Sequence, residues 1–252
     1  GTALRRLDDD GFAAGQGVGQ VPEGNHPGEV ERADEGRHAH GLATPESDYD
    51  YRAVFVQPTS EILSLGNRTV SNQWFEGDVD NTAYEIGHFL FLATKSNPTI
   101  LETFVAPRQP ILIPMNQTVV SICAELPRLF PYVWDSHAAL NAFTGYGYNQ
   151  RKKFLDNKDQ RANKYAVAWL RTLILADELF TEGTMTLNLT GHPEFDRLFA
   201  WKSGQWKLGE VMDVTADWEQ RARTAFEKHK KRTPDMARIN GFLLDVRKAF
   251  WD

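Results

Sequence analysis

The sequence predicts an α+β fold, in which a small core of strands and helices is followed by a mainly helical region. The run "YRAVFV" (51–56) has the alternation of a half-buried strand. Beyond about residue 115, apolar residues recur almost entirely at helical spacing, as in "NKYAVAWLRTLILADELFTEG" (163–183). We therefore expect three parts: an arm (1–35), a core (36–115) and a helical region (116–252).

The first part is expected to be an irregular, acidic arm. Residues 1–35 contain 7 of the chain's 19 glycines and eight acidic residues against three basic ones. This composition disfavours a packed element. The stretch "GNHPGEVERADEG" (24–36) contains a proline and no apolar run, so we expect no strand there.

Two strands are expected in the core. The first covers 51–56, and "PTSEILSL" (58–65) is then a short connection or a helical turn. A second strand is predicted at "QWFEGDVDN" (73–81), where it ends in acidic residues. A small sheet of this kind needs helices to cover it.

A helix is predicted to follow in "TAYEIGHFLFLATK" (82–95), with Asn81 or Thr82 as its N-cap. Asn97–Pro98 should end it, because the residue before a proline disfavours the helical conformation. In the helical region, Gly183 is suited to the C-cap of the long apolar helix. In the helix predicted at 82–95, the apolar residues at helical spacing are Ile86, Phe89, Leu90 and Ala93.

Composition excludes several classes of protein. Cys123 is the single cysteine, which rules out internal disulfides and multi-thiolate zinc sites. The start "GTALRRLDDD" lacks the apolar core of a signal peptide, and "YAVAWLRTLILA" (165–176) is interrupted by Arg171 and too short to cross a bilayer. We therefore expect a cytoplasmic protein with no membrane role, whose oligomeric state the sequence leaves open.

Positive charge is concentrated in residues 145–171, which contain 7 bases and 2 acids although the whole chain has a net charge of −6. Such a segment suits a surface for phosphates, although a run of Lys and Arg on a helix is more often simply its solvated face.

Asp48 and Asp50 stand one residue apart just before the first strand, so an extended backbone places their side chains on one face. Two carboxylates this close suit Mg²⁺, which prefers oxygen ligands and keeps positions for phosphates. Two such ions can stabilise the attacking and leaving oxygens of an in-line displacement. An acidic turn, in which Ser47 also makes local hydrogen bonds, explains the same spacing.

Other motifs carry less. His38 and His40 form a His-x-His pair, but without a cysteine or a third histidine nearby a polar loop explains it more simply. The sequence contains no recognisable Walker phosphate loop and no Ser-His-Asp arrangement, which disfavours P-loop NTPases and serine hydrolases.

Gly36 and Gly41, followed by "SDYDYRAVFV" (47–56), resemble the signature of the DNA polymerase β-like nucleotidyltransferase superfamily. Together with "DNTAYEIGHFLFLATKSNPTILETFVAP" (80–107) and "KYAVAWLRTLILADELFTEG" (164–183), the chain is similar to the branch of predicted nucleotidyltransferases associated with bacterial and phage RNA repair. The resemblance covers roughly residues 36–250. It implies a minimal palm, with a small mixed sheet that carries three carboxylates, followed by helices.

The resemblance also implies an activity. The protein would be a Mg²⁺-dependent nucleotidyltransferase that moves a nucleoside monophosphate from an NTP, such as ATP, to an acceptor hydroxyl. The favoured acceptor is an RNA 3′ end, in RNA repair or tRNA processing. A protein side chain or a small molecule would use the same metal chemistry, so these acceptors stay open.

The family pattern assigns roles to particular residues. Asp48 and Asp50 match the metal-binding pair. Asp80 is the expected third carboxylate, with Asp78 as the alternative. If Asp80 has no catalytic role, its expected role is to cap a helix. Arg52 would neutralise phosphate charge or form an ion pair with the carboxylates. The nucleotide-binding residues implied are Gly36, Arg37, Ser47, Arg52, Lys164 and Arg171, and Lys164 and Arg171 would otherwise belong, with Lys153, to a solvated helix face.

The chain departs from the family pattern at two points. Arg37 stands where the family has a serine that contacts phosphate, and an arginine there either binds phosphate or fills the pocket. The strand that normally leads into the glycine motif (residues 36–41) is missing from 24–36. Either another segment of the arm, such as "GVGQV" (17–21), takes its place, or the chain is altered here relative to its relatives. These departures suggest an alternative: a catalytically silent protein on the same fold that binds nucleotide or RNA.

Overall fold

The computed structural model describes residues 29–34, 40–42, 51–65, 69–76, 79–109 and 117–251. In β1, β5 and parts of β3 and β4 only the backbone is described, at residues 29–34, 74–76, 79–80 and 108–109.

A mixed sheet of five strands forms the core of the first half, as the sequence predicts for an α+β protein. The order across the sheet is β3-β4-β2-β1-β5. Strands β2 and β4 run parallel, and the other neighbours are antiparallel. The strands are β1 (Glu29–Asp34), β2 (Tyr51–Phe55), β3 (Ser71–Glu76), β4 (Val79–Glu85) and β5 (Arg108–Gln109).

Strand β1 corrects the expectation that no strand precedes the glycine motif. Residues Glu29–Asp34, placed in the irregular arm by the sequence, pair antiparallel with β2 on one side and with β5 on the other. The pairing uses backbone N–H and C=O groups, which every non-proline residue of this segment has, so a polar segment can complete a sheet without an apolar pattern. The register shifts between Glu29 and Glu31.

The predicted single strand at 73–81 is also wrong in its extent. The chain forms an antiparallel pair here, with β3 followed by β4, and Glu76 faces Val79 across their closing end. Asn81 and Thr82 lie inside β4 rather than at a helix N-terminus. Pairing of β4 with β2 extends to Glu85, so these residues stay extended until the helix begins at Ile86.

Helices make up the rest of the described chain, and the structure confirms the mainly helical second half. Glu85 caps the first long helix by accepting a hydrogen bond from the Gly87 amide at 2.8 Å. Asn97 caps the following helix, with Pro98 at its first turn. The α-helices are α1 (Thr59–Leu63), α2 (Ile86–Thr94), α3 (Pro98–Val105), α4 (Gln117–Glu125), α5 (Phe130–Val133), α6 (Ser136–Asp156), α7 (Ala162–Thr181), α8 (Phe195–Lys202), α9 (Leu208–Lys228) and α10 (Met236–Ala249).

The two longest helices of the middle of the chain, α6 and α7, form a helical hairpin. Asn157 ends α6 in the left-handed conformation, with φ 39°. Gly183 follows α7 with φ 76°, which confirms its prediction as a helix-ending glycine.

Two clusters of apolar side chains form the interior. The larger includes β2, α2 to α7, α9 and α10, and contains Phe89, Phe130 and Leu179. The smaller lies between α7, α8 and α9 and includes Leu42 and Trp201. Residue 42, which follows the glycine motif in sequence, is therefore packed against the helical region.

Helix α10 is fastened to the sheet by a buried ion pair. The Arg247 guanidinium donates two hydrogen bonds to the Glu85 carboxylate, at 2.6 and 2.8 Å. The Glu85 side chain is 3% exposed and that of Arg247 16%. Thr59 of α1 adds backbone and side-chain hydrogen bonds to Phe250 and Arg247. The C-terminal helix therefore supports the end of β4.

No helix in the described part of the chain is long and apolar enough to span a membrane.

Candidate functional site

The starts of two parallel strands meet at one edge of the candidate site. Asn81, in β4, is fully buried, and its Oδ1 accepts a hydrogen bond from the Tyr51 amide at 3.1 Å. Tyr51 is the first residue of β2. The bond holds the beginning of β2 against β4. The two residues that it joins, Tyr51 and Asn81, directly follow Asp50 and Asp80 in the sequence.

Most of the predicted catalytic and nucleotide-binding residues lie outside the described residues. These are Gly36, Arg37, Ser47, Asp48, Asp50 and the alternative Asp78. Asp80 is the second residue of β4, where only its backbone is described. Within the described part of the chain, no group of three or more His, Cys, Asp or Glu side chains is arranged to hold a metal ion.

Residues 40–42, which include Gly41 at the end of the glycine motif, pack on the segment that joins α7 to α8. The Leu189 amide donates to the His40 carbonyl at 3.2 Å, and the Lys202 ammonium donates to the Leu42 carbonyl. Gly41 has φ 69°, a conformation that glycine adopts without strain. A Cβ there would approach Thr190 Oγ1 to 2.4 Å. The motif therefore requires glycine at position 41.

A buried cluster of ionisable side chains lies behind this loop. Glu102 of α3 is 3.6 Å from His40 Nε2 and 3.7 Å from Arg171 Nη1, all measured to Glu102 Oε2. Burial raises the pKa of Glu102, while the positive charges of Arg171 and Arg52 oppose that rise. The Glu102 carboxyl group thus lies close to His40 of the loop and interacts electrostatically with Arg52 of β2 and Arg171 of α7.

His40 is held neutral in this cluster. Burial lowers its pKa well below the ordinary value, the Arg171 charge lowers it further, and a hydrogen bond to the Leu187 carbonyl opposes the fall. A carbonyl only accepts, so Nδ1 carries the proton in the 3.3 Å contact with Leu187. Nε2 then presents a lone pair toward Glu102. The short distance between His40 and Glu102 is therefore not an ion pair at neutral pH.

Tyr146 of α6 belongs to the same cluster. Burial raises the pKa of its hydroxyl, the Arg171 charge opposes that rise, and the negative charge of Glu102 supports it. Each helix of the α6–α7 hairpin thus contributes one polar side chain to the cluster, Tyr146 from α6 and Arg171 from α7.

The predicted phosphate-binding cations divide into two groups. Arg52 and Arg171 both act on the charge of Glu102, so the fold brings these two together although 119 positions separate them. Lys164 lies two turns before Arg171 on α7, about 10 Å along the helix axis, and is exposed. It does not join the buried cluster.

Sequence reasoning missed three members of this site: Asn81, Glu102 and Tyr146. Asn81 was interpreted as a helix cap, and Tyr146 lies in a segment noted only for its bases. Glu102 gave the one usable signal, because a carboxylate stands on the apolar face of α3 between Leu101 and Phe104. His40 was interpreted as part of a polar loop, whereas it is buried.

Comparison with known proteins points to one family. The model of the RNA repair pathway DNA polymerase beta family, RlaP, matches residues 31–245. An uncharacterised 38.9 kDa protein from the nrdC–mobD intergenic region of Enterobacteria phage T4 is 27% identical over 152 residues. That alignment covers 57% of this chain but 40% of the phage protein, so the similarity spans less than half of the relative's length.

Proposed function

The chain belongs to the RNA repair pathway DNA polymerase beta family, and on that premise we propose that it is a nucleotidyltransferase that extends or repairs RNA 3′ ends. The acceptor hydroxyl oxygen would attack the α-phosphorus of an NTP. The bond from that phosphorus to the bridging oxygen breaks, pyrophosphate leaves, and the hydroxyl proton passes to a base. Catalysis of this kind depends mainly on positioning and charge neutralisation.

The observation that carries the proposal is the parallel pairing of β2 with β4. Arg52 pairs with Thr82 and Phe55 with Glu85, an offset of thirty residues. The same offset relates Asp50 to Asp80 in the sequence. Neighbouring strands in matching register bring their side chains close together. The offset equally relates Asp48 to Asp78, so the register supports an acidic side chain on β4 as the partner of the first pair. We choose Asp80 over Asp78 because Asp80 lies within β4.

These residues fit a hard divalent cation. Asp48, Asp50 and Asp80 offer carboxylate oxygens, the ligands that Mg²⁺ prefers. Asp48 and Asp50 precede β2 in the sequence, and Asp80 lies in β4, the parallel neighbour of β2. They would hold one or both ions of a two-metal site. When bound, the metal supplies positive charge to the transferring phosphoryl group.

The chain's own groups have the remaining roles in the proposal. Asp80 accepts the proton of the acceptor hydroxyl, either directly or through a water. Gly36, Arg37 and Ser47 contact the triphosphate. Arg52 and Arg171, whose charges both act on the Glu102 carboxyl, supply positive charge beside the site.

The RNA acceptor rests on the family and not on a described residue of the site. A protein side chain or a small molecule with a hydroxyl would undergo the same transfer. A labelling experiment separates these acceptors: [α-³²P]ATP or CTP is incubated with the protein, MgCl₂ and either pooled RNA or a cell extract freed of RNA. We expect label to be incorporated into RNA. This incorporation should be blocked when the RNA 3′ end is oxidised with periodate.

The site is tested by matched aspartate variants. We expect Asp48→Ala, Asp50→Ala and Asp80→Ala each to reduce transfer by at least about a thousandfold, the order lost when a main charge-stabilising group is removed. Asp78→Ala, two residues from Asp80, should reduce it less than about tenfold. Transfer that survives the Asp48→Ala, Asp50→Ala double substitution would contradict the proposed site.

Two departures from the family pattern suggest the catalytically silent alternative: Arg37 and the missing strand. The second no longer applies, because β1 provides a strand where the sequence predicts none. Arg37 is the reason that remains. It is tested by Arg37→Ser: a wild-type protein without transfer and an active Arg37→Ser variant would favour the silent protein. Transfer by the wild type would exclude it.

A further inference from the structure

Six exposed cations cluster at one end of the α6–α7 hairpin, which we call the basic tip. They lie on the last turns of α6, in the connecting turn and on the first turn of α7. The basic tip comprises Arg151, Lys152, Lys153, Lys158, Arg161 and Lys164.

The positive charge of the basic tip is not neutralised locally. Asp156 and Asp159 are the two carboxylates in the same span, so six cations face two anions in a chain whose net charge is −6. Within the described part of the protein, no carboxylate lies within 4.0 Å of a basic-tip cation. Exposed cations elsewhere often have such a partner, as Arg223 has Glu219 at 2.7 Å. The tip therefore presents unpaired positive charge to solvent.

Asp159, one of the two carboxylates, is already engaged. The Tyr165 hydroxyl donates a short hydrogen bond to it, and this bond holds the pKa of Asp159 below its ordinary value. Lys153 lies over the Tyr165 ring, 5.6 Å from its centre. These contacts order the turn without removing its positive charge.

The basic tip lies a short distance along the α6–α7 hairpin from the buried cluster around Glu102. Tyr146 on α6 and Arg171 on α7 both belong to the buried cluster around Glu102. Lys152 lies six residues beyond Tyr146 and Lys164 seven before Arg171, so both helices lead from the site to the tip over about 10 Å. A strand that ends at the site can reach the tip within a few nucleotides.

An aromatic side chain lies beside the cations. Tyr148 of α6 is 64% exposed. It stands three and four residues before Arg151 and Lys152, the spacing that places side chains on one face of a helix. Exposed aromatic rings beside positive charge are the combination on which single-stranded nucleic acids stack their bases.

We propose that the basic tip binds the sugar–phosphate backbone of the acceptor RNA a few nucleotides before its 3′ end, and that Tyr148 stacks on one base. The inference rests on the proposed function and adds the surface that holds the acceptor. The unpaired charge, the exposed ring and the short distance to the site along the hairpin together favour a flexible single strand over an acidic protein, which has no bases to stack.

The test compares two triple variants with the same loss of charge. One is Lys152→Ala, Lys153→Ala, Lys158→Ala in the basic tip. The other is Lys228→Ala, Lys230→Ala, Lys231→Ala, three exposed lysines at and just beyond the end of α9. Phe226 and His229 of that region contact Phe180, so the control lysines lie at the opposite end of α7 from the tip.

Binding of a fluorescein-labelled single-stranded RNA 20-mer is measured by anisotropy between 50 and 300 mM NaCl. We expect the tip variant to bind at least tenfold more weakly at 100 mM salt. Its salt slope should be smaller by about 2, since each single-strand phosphate contact contributes about 0.7. The control variant should bind within about twofold of the wild type. Tyr148→Ala should weaken binding at least about fivefold with an unchanged salt slope.

The outcomes separate this inference from the proposed function. Equal weakening by both triple variants, or tip-dependent binding of poly-glutamate instead of RNA, would overturn the inference. Normal RNA binding by the tip variant together with active nucleotide transfer would overturn the inference alone. Tip-dependent RNA binding with no transfer from any NTP supports the inference and overturns the proposed function.

Discussion

At the scale of single residues, Gly41 shows how the glycine motif is fixed. Its φ of 69° and the 2.4 Å approach of a Cβ to Thr190 Oγ1 both oppose any side chain. We expect Gly41→Ala to lower the free energy of unfolding by about 1–3 kcal/mol, the range for strained backbone conformations. Urea denaturation followed by circular dichroism measures this change.

Gly145 provides the matched control for Gly41. It lies inside α6, and a Cβ there would meet no atom within 4 Å in the described structure. Gly145→Ala should therefore stabilise the protein by about 0.5–1 kcal/mol, because alanine favours the helix. Equal effects of the two substitutions would show that residues 40–42 do not dock as described.

His40 gives the buried cluster a dependence on pH. Its pKa is lowered in the folded protein, so below about pH 6.5 the unfolded chain binds a proton that the folded chain does not. Stability should then fall as the pH drops from 7 to 5. His40→Gln should lose this part of the dependence, so its stability relative to the wild type should improve steadily toward pH 5.

Glu102 should have the opposite sign in the same measurement. Its pKa is raised by burial, so the folded chain keeps a proton that the unfolded chain releases above about pH 4.3. That part of the stability is lost as pH rises through the folded pKa. Glu102→Gln should therefore gain stability relative to the wild type as pH increases. Parallel pH profiles for both variants would contradict the assigned pKa directions.

At the scale of elements, the ion pair between α10 and the end of β4 should be a main determinant of stability. Removing Arg247 leaves the Glu85 carboxylate buried without its bidentate partner. We expect Arg247→Ala to lower the free energy of unfolding by about 3–5 kcal/mol. Chemical denaturation at pH 7 provides the measurement.

Lys248 on the same helix is the control for that substitution. It pairs with Asp245 at 3.3 Å, and both side chains are exposed. Exposed pairs contribute little, so Lys248→Ala should change stability by less than about 1 kcal/mol. A similarly small effect of Arg247→Ala would mean that α10 does not depend on the pair.

Elements with a strong apolar period were predictable from sequence, and those held by backbone pairing were not. β2, α2 from Ile86 and α7 follow their apolar patterns. β1 has no such pattern, because its place between β2 and β5 is set by hydrogen bonds to two neighbours that lie far away in sequence. Residues 82–85, the last of β4, are predicted as helix for the same reason: pairing with β2 and β3 keeps them extended.

The same limit applies to the site. The family pattern predicts Arg52 and Arg171 but not their common partner Glu102, since nothing local relates α3 to β2 or to the middle of α7. A buried carboxyl on an apolar helix face is the one signal available before the tertiary structure is known. Its partners follow only from the packing.

At the scale of the whole molecule, one apolar cluster crosses the expected division near residue 115. The rings of Phe89 and Phe104 lie 4.8 Å apart between their centres, and Phe104 lies 6.1 Å from Phe130. Leu179 and Phe250 belong to the same cluster. Continuous packing of this kind couples the unfolding of its parts, whether or not the core and the helical region count as separate domains.

This coupling predicts that damage to the first half is felt in the second. Six of the seven tryptophans follow residue 115, so tryptophan fluorescence reports mainly on the helical region. Phe89→Ala, in α2, should cost about 3–5 kcal/mol and lower the fluorescence-detected midpoint of thermal unfolding by roughly 10 °C. Far-UV circular dichroism should give the same midpoint, because a single transition is expected.

Phe91 of the same helix is the control for this coupling. It is 54% exposed, so Phe91→Ala removes an equal volume without opening the cluster, and the fluorescence midpoint should move by less than about 2 °C. Two independent units would behave differently: Phe89→Ala would split the transition seen by circular dichroism and leave the fluorescence midpoint in place.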